Sequence, residues 1–491
     1  MRRLLVAATT VLALVFTSTP ALAAPAPGAP GIGDSYYPDY GNGGYDVGHY
    51  DIRLRYYPDT DLLTGTTTIL ARATQDLSAF DLDFLLTVSS VRVNNRPATF
   101  ARSGVHELVV TPARPVLRNE SMTIVVQYSG VPSSIQAYGF TSWTRTTDGA
   151  LAVNEPEIAW WWYPSNDHPL DKATYDISVM VPTGTEVISN GVMPTPPAPV
   201  INGWTRWTWR SIRPMATYLA FLVIGQYDIH TDTTADGQQV ITAYSTALGA
   251  SDGAARASVE RTAEITDWES TLWGPYPFEA RGGVVVPPGY LGFALETQTK
   301  PVYSASFYRR ASNPYVVVHE NSHQWFGDSV SVADWSDIWL NEGFASYTEW
   351  LWSEVQGEGT AQELFDYTYA SIPPDDPFWQ VLPGNPGPQN QFHGAVYARG
   401  AMTLHQLRLA VGDDTFYSIM REWASSHRYS TGSIAQFEAL AEQISGQDLA
   451  ALFTLWLFTP GRPALGAAAL TRHAVPAQPR SFAQIQEAYQ H

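Results

Sequence analysis

Apolar and polar residues alternate with a period of two over much of the first half of the chain, from about residue 45 to residue 227. In such a run every second side chain falls on one face of an extended strand. Gly, Asn, Asp and Pro separate the runs, as they separate the short strands of β-sheet domains. The pattern predicts an all-β N-terminal domain, either a sandwich or a saddle-like sheet. Four runs show it well: 50–56, 67–73, 124–128 and 177–181.

Helical spacing replaces this alternation after about Thr231. Residues 283–299 still have the pattern of one or two strands, interrupted by Pro287, Pro288 and Gly289. We therefore predict an α+β chain, in which a mainly helical domain with a small mixed sheet follows the β domain. Five segments have the apolar spacing of helices: 257–272, 316–326, 340–352, 401–409 and 434–444.

The first 23 residues have the layout of a secretory signal peptide. Arg2 and Arg3 precede the apolar residues 4–16, and the Ala-Leu-Ala of residues 21–23 offers small residues for cleavage. An apolar run of 13 residues is too short to cross a bilayer. We expect a secreted protein without a membrane anchor, and a buried N-terminal helix is the alternative.

The same patterns divide the rest of the chain. Residues 24–34, rich in Pro and Gly, are expected to form a flexible leader after the signal peptide. The β domain is predicted over residues 35–230 and the helical domain over residues 231–465. Residues 466–491 have weak patterning and are expected to be a loose C-terminal tail.

Composition and charge narrow the possible chemistry. The 491 residues include 28 Lys and Arg against 47 Asp and Glu, a formal net charge of −19. Such a balance argues against a nucleic-acid partner. The chain has no Cys, which excludes a thiol nucleophile, a disulfide framework and a thiolate metal site. Any zinc chemistry is therefore left to His and carboxylate ligands.

The strongest chemical signal is the H-E-x-x-H segment from His319 to His323. Residues four apart project from one face of a helix, so both imidazoles can be directed at one ion. Glu320 lies about a quarter of a turn away and is placed to reach a metal-bound water rather than the metal. This arrangement is typical of zinc peptidases, and Gly327 fits the end of such a helix.

A third zinc ligand is expected at Glu342, nineteen residues after His323. The gap suits a loop followed by an antiparallel helix. Two His, one Glu and an open position form a catalytic arrangement, with one Zn²⁺ per chain. Glu349 follows seven residues later on the same helical face. We expect it to face solvent, and a hydrogen bond to a zinc-bound His is the alternative.

These residues and their neighbours resemble the aminopeptidase N family of gluzincins. The family pattern is H-E-x-x-H, eighteen residues and then E, with Q-W-F-G and L-N-E-G-F-A around it, and every letter is matched here. The resemblance covers about residues 35–465. It implies a saddle-like β domain and a thermolysin-like catalytic domain, without the C-terminal helical domain of larger relatives. It also implies zinc-dependent aminopeptidase activity on peptides with a free N-terminus.

The resemblance further implies the roles of individual residues. Glu296 lies where the family has G-A-M-E-N and would bind the α-ammonium group of the substrate, with Glu155 as a second amine-binding residue. The backbone around Ala294 would pair with an extended peptide. Tyr397 matches the Tyr of the family's Y-x-K-G segment and would support the tetrahedral oxyanion. Glu320 would accept a proton from the attacking water and deliver it to the leaving amine.

Six residues depart from the family pattern, among them Asn321 and Ser322, which are more polar than the usual pair inside the zinc helix. Phe293 replaces a Gly and Thr297 replaces an Asn, so the shape of the first substrate pocket does not follow from the resemblance. Trp160 stands where Arg is common, and Asp328 stands where Asn is frequent.

Two other functions stay open at this point. One is a zinc hydrolase of different specificity, such as an endopeptidase or an epoxide hydrolase. The other is a secreted peptide-binding protein with an inactive metal centre. The presence of both Glu320 and Tyr397 argues against an inactive centre, because a protein that only binds peptides needs neither.

Overall fold

The computed structural model describes residues 24–235, 237–465 and 476–488. The predicted signal peptide, residues 1–23, lies outside the described residues. A β domain is followed by a mainly helical domain with a mixed sheet, which confirms the predicted fold class. In the described part of the chain, no helix combines the length and apolar character that crossing a membrane requires.

Strands form the β domain because their alternating residues bury one face. In the strand over residues 173–182, for example, Tyr175, Ile177 and Val179 are buried and the residues between them are partly exposed. The strands are, in chain order, β1 (Ala26–Pro27), β2 (Tyr45–Tyr57), β3 (Leu62–Ala73), β4 (Leu77–Asp83), β5 (Thr87–Val93), β6 (Arg96–Pro97), β7 (Thr99–Ser103), β8 (Glu107–Thr111), β9 (Ser121–Gly130), β10 (Trp143–Arg145), β11 (Ala150–Ala152), β12 (Ala173–Pro182), β13 (Glu186–Ser189), β14 (Ala198–Ile201), β15 (Trp204–Met215) and β16 (Leu222–Gly225).

These strands form a long sheet and two smaller ones. The long sheet has the order β14-β15-β12-β2-β3-β9-β5-β6, and its pairs are antiparallel except for the parallel pair β12 and β2. The smaller sheets have the orders β10-β11-β16-β13 and β1-β4-β8-β7. One eight-stranded and two four-stranded sheets agree with the predicted all-β domain.

The predicted flexible leader is instead packed against both domains, so that prediction is wrong for residues 24–34. Strand β1 pairs in parallel with β4, which satisfies backbone groups of the leader. Asp34 is buried, lies 3.1 Å from His168 Nε2 in the β domain and accepts a 2.8 Å hydrogen bond from Trp335 N in the helical domain. Because these contacts are distant in the chain, the composition of the leader does not reveal them.

The second domain is built on a mixed sheet in the order β17-β18-β19-β21-β20. Its first strand begins at Tyr227, slightly before the predicted boundary. The remaining strands are β17 (Tyr227–Thr233), β18 (Gln239–Ser245), β19 (Ala280–Val285), β20 (Ala294–Leu295), β21 (Val302–Tyr303), β22 (Val330–Val332) and β23 (Ser430–Gly432). The α-helices are α1 (Asp252–Val259), α2 (Thr262–Trp273), α3 (Pro314–Ser322), α4 (Trp339–Gln356), α5 (Ala361–Ser371), α6 (Gly394–Val411), α7 (Asp413–Ser426), α8 (Ile434–Ser445), α9 (Ala450–Phe453) and α10 (Phe482–Ala488).

Two predicted helices differ from the observed ones. The segment 257–272 is divided between α1 and α2, where the Thr262 hydroxyl donates to the Val259 carbonyl at 2.7 Å and so competes with the helical bond. Helix α3 ends at Ser322 rather than at 326. The chain turns back after α3 through Gly327, whose φ of +135° favours glycine.

Helices α4 and α6 cross in close contact, and two glycines make this possible. A Cβ added to Gly400 would lie 2.9 Å from Gly343 Cα, and one added to Gly343 would lie 3.1 Å from Gly400 Cα. Both would also collide with the Trp339 ring. A residue larger than Gly at either position would therefore force the helices apart.

Part of the predicted loose tail is also packed. Residues 466–475 lie outside the described residues, but α10 packs against α3. The Ser481 and Ser353 hydroxyls are 2.7 Å apart, and Arg310 pairs with Glu487 at 2.7 Å. The weak helical pattern of this short segment did not indicate that it docks on the catalytic domain.

Candidate active site

Helix α3 carries His319, with His323 directly after it as the C-cap residue, and begins at a well-defined N-cap. The Asn313 side chain accepts a 3.1 Å hydrogen bond from Tyr315 N, and Pro314 occupies the first helical position. His319 and His323 then lie one turn apart, with ring centroids separated by 4.9 Å. Both rings are buried, and their proximity agrees with the projection from one face that the H-E-x-x-H spacing predicted.

Hydrogen bonds fix the orientation of both imidazole rings. His319 Nδ1 lies 2.7 Å from Glu349 Oε1, and His323 Nδ1 lies 2.9 Å from the Phe326 carbonyl oxygen. Since both partners are acceptors, each Nδ1 carries the proton and donates it. With each Nδ1 engaged in this way, Nε2 is the ring nitrogen that faces Glu342 and can bind a metal, as is usual for metal-ligating His.

Glu342 on α4 completes the cluster. Its Oε2 lies 3.3 Å from His319 Nε2 and 3.6 Å from His323 Nε2, and all three side chains are buried. Burial alone would raise the pKa of Glu342, but the charges and hydrogen bonds of the two His hold it well below its usual range. Two imidazoles and one carboxylate that converge on one point are a donor set that fits zinc.

Glu349 does not face solvent, so the leading expectation for it was wrong and the alternative is what the structure shows. The residue is fully buried, and its carboxylate accepts the hydrogen bond from His319 Nδ1. Helix α4 is buried on all sides from Trp339 to Ser353, so its period defines no solvated face. The signal that could have identified this role is a lone carboxylate within a run that includes Trp350, Leu351 and Trp352.

Glu320 points to the same space as the metal-binding atoms. Its carboxylate, that of Glu296 and a nitrogen of His323 lie within 4.8 Å of one another. Burial raises the pKa of Glu320 to about 8, against the lowering effect of the two His. A carboxyl group with a pKa near neutrality is suited to accept and return a proton.

The two predicted amine-binding carboxylates, Glu296 and Glu155, line the same pocket. Glu296 is buried, and its Oε1 accepts a 3.1 Å hydrogen bond from Tyr218. Glu155 Oε1 is buried without a hydrogen-bond partner in the described part of the chain. Burial, together with the charges of Glu296 and Glu342, raises the pKa of Glu155 well above its usual range. A bound cation would relieve this cost.

Strand β20 and Tyr397 form further parts of the wall. Ala294 and Leu295 pair with Tyr303 and Val302 of β21, and β20 is the last strand in the sheet order. The other edge of β20 is thus positioned to pair with an extended peptide. The Tyr397 ring lies 5.9 Å from the His319 ring, and burial and nearby carboxylates raise the pKa of Tyr397 well above its usual range. Its hydroxyl therefore stays protonated and can donate.

The pocket has a volume of about 250 Å³ and two aromatic walls, Phe293 and Phe392. Phe392 was not identified from the sequence, because nothing local distinguishes it from a core residue. Among the departures from the family pattern, Phe293 alone lines this pocket. Thr297 is buried and donates to the Lys300 carbonyl at 2.7 Å, and Trp160 packs within the β domain.

Comparison with known families agrees with this geometry. The profile described as Peptidase M1 N-terminal domain matches residues 47–219, and that described as Peptidase family M1 domain matches residues 294–456.

Among curated proteins, the chain is 28% identical to Aminopeptidase N of Streptomyces lividans over 326 residues, which covers 61% of this chain and 36% of that protein. It is 26% identical to Aminopeptidase M1 of Arabidopsis thaliana over 460 residues, which covers 85% of this chain and 50% of that protein. The chain thus spans about half the length, or less, of these relatives.

Solved structures match over a larger share of their length. An M1 zinc metallopeptidase from Deinococcus radiodurans is 29% identical, with a TM-score of 0.78, over 89% of this chain and 100% of that chain. A mutant of the Deinococcus enzyme bound to a Tyr-Ser-Ala substrate is also 29% identical, with a TM-score of 0.77, over 88% of this chain and 99% of that chain.

Proposed function

Because the chain belongs to peptidase family M1, we propose that it is a zinc-dependent aminopeptidase that removes the first residue from peptides with a free N-terminus. One observation carries this proposal. The pocket that contains the cluster of His319, His323 and Glu342 also contains Glu296 and Glu155, two further carboxylates. Glu296 and Glu155 place negative charge beside the metal-binding cluster, and this charge favours a bound cation. The α-ammonium group of a peptide N-terminus is such a cation.

Each residue of the pocket has a separate role in the proposed reaction. Zinc held by His319, His323 and Glu342 would supply Lewis-acid chemistry and acidify water. Glu320 accepts a proton from the attacking water and later delivers it to the leaving amine. The Tyr397 hydroxyl donates a hydrogen bond to the oxyanion that develops on the scissile carbonyl.

Amine binding sets the position of cleavage. Glu296, oriented by Tyr218, binds the α-ammonium group together with Glu155. The edge of β20 pairs with the backbone of the peptide. This pairing holds the peptide in an extended conformation across the cluster of His319, His323 and Glu342. Two carboxylates at the end of the pocket disfavour a longer chain that continues through it, because a peptide carbonyl cannot neutralise them. This arrangement favours an exopeptidase over an endopeptidase or an epoxide hydrolase.

The specificity can be tested with paired substrates. We expect Glu296→Ala to lower kcat/KM for free amino-acid anilides by about 10- to 150-fold, the cost of a lost charged hydrogen bond of about 1.5–3 kcal/mol. Any turnover of N-acetylated peptides should change much less. Glu264→Ala, the same change at an exposed position of α2, is the matched control. Equal losses on both substrate types would reject the amine-binding role, and preferred cleavage of N-acetylated peptides would indicate an endopeptidase.

The catalytic role of Glu320 has its own test. We expect Glu320→Gln to retain zinc, measured by elemental analysis, and to lose turnover by about 10²- to 10⁴-fold, because the amide cannot accept a proton. Full activity of this variant would remove Glu320 from the mechanism. Full zinc binding with no activity in the unmodified protein would instead favour a protein that only binds peptides.

We also propose that the protein is secreted, on the basis of Arg2, Arg3 and the apolar residues 4–16 that follow them. Mass spectrometry of protein recovered from the culture medium should find a mature N-terminus near Ala24. Recovery of an uncleaved chain from the cell interior alone would contradict this.

A further inference from the structure

A second cluster of metal-ligating side chains lies in the β domain, apart from the catalytic pocket. Asp83 at the end of β4 is the cross-strand partner of Glu107 at the start of β8, so the two carboxylates share one face. His106 immediately precedes β8 and points to the same place. All three side chains are buried, with exposed fractions of 0%, 6% and 1% for Asp83, Glu107 and His106.

Within residues 24–235, 237–465 and 476–488, only His106 approaches oxygens of both carboxylates. Asp83 Oδ2 accepts hydrogen bonds from Asn42 Nδ2 at 3.0 Å and from Asp167 N at 2.7 Å, which fixes the side chain. Among the described residues, neither its other oxygen, Oδ1, nor either oxygen of Glu107 has a hydrogen-bond partner. In the described part of the chain, His106 is the only ion-pair partner recorded for Asp83 and Glu107. A buried carboxyl group in this state is neutralised either by a cation or by a proton, and burial together with the charges of Asp83 and Asp81 raises the pKa of Glu107.

His106 is held in the orientation of a metal ligand. Its Nδ1 lies 3.3 Å from the Tyr138 hydroxyl, which donates its single proton to Asp39 Oδ2 at 2.6 Å. The hydroxyl can therefore accept from Nδ1–H, while Nε2, 3.0 Å from the Asp39 carbonyl oxygen, donates its proton to that oxygen until an ion replaces the proton. This is the same arrangement, with Nδ1–H bonded to an acceptor, that His319 and His323 show in the catalytic cluster.

Three oxygens converge on His106 Nε2 at the spacing of zinc ligands. The Asp39 carbonyl oxygen, Asp83 Oδ1 and Glu107 Oε1 lie 3.0, 3.2 and 3.5 Å from it. Ligands at about 2.0–2.1 Å from a tetrahedral ion are separated by roughly 3.3 Å. The corresponding separations in the catalytic cluster are 3.3 and 3.6 Å.

We propose that Asp83, His106 and Glu107, with the carbonyl oxygen of Asp39, form a second zinc site. The imidazole favours zinc over calcium or magnesium, which prefer all-oxygen sites with more ligands. A dication also balances the two ligand carboxylates. Asp81, whose Oδ1 is buried without a hydrogen-bond partner on the same face of β4, adds further negative charge.

The site would have a structural role. Its ligands come from β4, from the start of β8 and from the segment before β2, so an ion here ties that segment to the small sheet. Through Asp34, the same segment also contacts Trp335 in the catalytic domain. A neighbouring cavity of about 560 Å³ is lined by Asp39 and Tyr138, two residues that contact the His106 ring nitrogens. Four protein ligands leave no open position, which is typical of structural zinc.

Zinc content measured by inductively coupled plasma mass spectrometry tests the proposal. Glu107→Gln should lower bound zinc by one equivalent per chain relative to the unmodified protein, and should lower Tm. Glu120→Gln, the same change at a surface position of the β domain, is the matched control and should change neither. Where Glu107→Gln fails to fold, His106→Gln provides the same comparison.

A second protein separates this site from the catalytic one. The double variant His319→Ala, His323→Ala removes the catalytic cluster, so it should retain one zinc and lose several degrees of Tm when dialysed against a chelator. A double variant that contains no zinc would overturn the proposal, and so would an unchanged zinc content in Glu107→Gln. Either result would indicate instead that a protonated His106 pairs with the two carboxylates. If the unmodified protein contains a different metal and Glu107→Gln lacks that metal, the assignment of zinc to this site would be wrong. Because the expected change is a difference of one equivalent, the result is independent of whether the protein is an aminopeptidase.

Discussion

Removing the Glu349 carboxylate should weaken zinc binding although the residue is not a ligand. Its Oε1 lies 2.7 Å from His319 Nδ1 and is fully buried, so water does not replace it when it is removed. In Glu349→Ala, His319 loses the acceptor that fixes its tautomer and ring orientation. The variant also leaves a buried N–H without a partner, which adds to the cost.

The magnitude follows from the type of bond. A hydrogen bond to a charged group contributes about 1.5–3 kcal/mol, which corresponds to a loss of zinc affinity of about 10- to 150-fold. Glu349→Gln keeps a carbonyl oxygen at nearly the same position but loses the charge, so we expect a smaller loss, below about tenfold. The difference between the two variants therefore separates the effect of geometry from that of charge.

The assay is a competition for zinc between the protein and a chromophoric chelator at fixed pH. Glu354→Ala is the matched control, because it is the same change on the same helix at an exposed ion pair with Arg408. Circular dichroism should show that each variant is folded. A zinc affinity of Glu349→Ala within about threefold of the unmodified protein would refute the reasoning, since the hydrogen bond would then not support the ligand.

Two further changes have defined outcomes. Tyr397→Phe should reduce kcat by about 10²- to 10³-fold with little effect on KM or zinc content, because it removes one oxyanion donor; an unchanged kcat in steady-state assays would exclude that role. Burial lowers the pKa of Lys300 from 10.5 in the unfolded chain to about 7 in the folded protein. The buried amine therefore does not destabilise the folded protein above pH 10.5, and it destabilises the folded protein increasingly as the pH falls from 10.5 to 7. Calorimetry should therefore show that Lys300→Met gains more Tm over the unmodified protein near pH 7 than near pH 10, and equal differences at both pH values would contradict this.

The catalytic ligands could be predicted from the sequence because their signal is local. A spacing of four residues on a helix places His319 and His323 on one face whatever the rest of the fold does. Glu342 follows within one loop and one turn of helix, and the structure brings its carboxylate to the same point. The roles of Glu296, Glu155 and Tyr397 depended on a resemblance instead, since each is separated from the H-E-x-x-H segment by more than twenty residues.

Other features could not be predicted because they depend on contacts between distant segments. Glu349 is buried only because helices pack around α4 on every side, and a helical period does not report how many faces are covered. The order of residues 24–34 comes from pairing with β4 and from the contacts of Asp34. Asp83 and His106 come together only when β4 and β8 pair. The spacing of these residues along the sequence therefore does not predict the cluster.

The crossing of α4 and α6 limits which substitutions this protein can accept. Glu342 directly precedes Gly343, and Tyr397 lies three residues before Gly400, so the contact between the two glycines determines how far the carboxylate is from the hydroxyl. A methyl group at Gly343 or Gly400 would move the Glu342 carboxylate and the Tyr397 hydroxyl apart, although neither side chain would itself be changed. Natural or engineered variation in substrate preference is therefore free to act on Phe293 and Phe392, whereas these two positions should accept almost no substitution while activity is under selection.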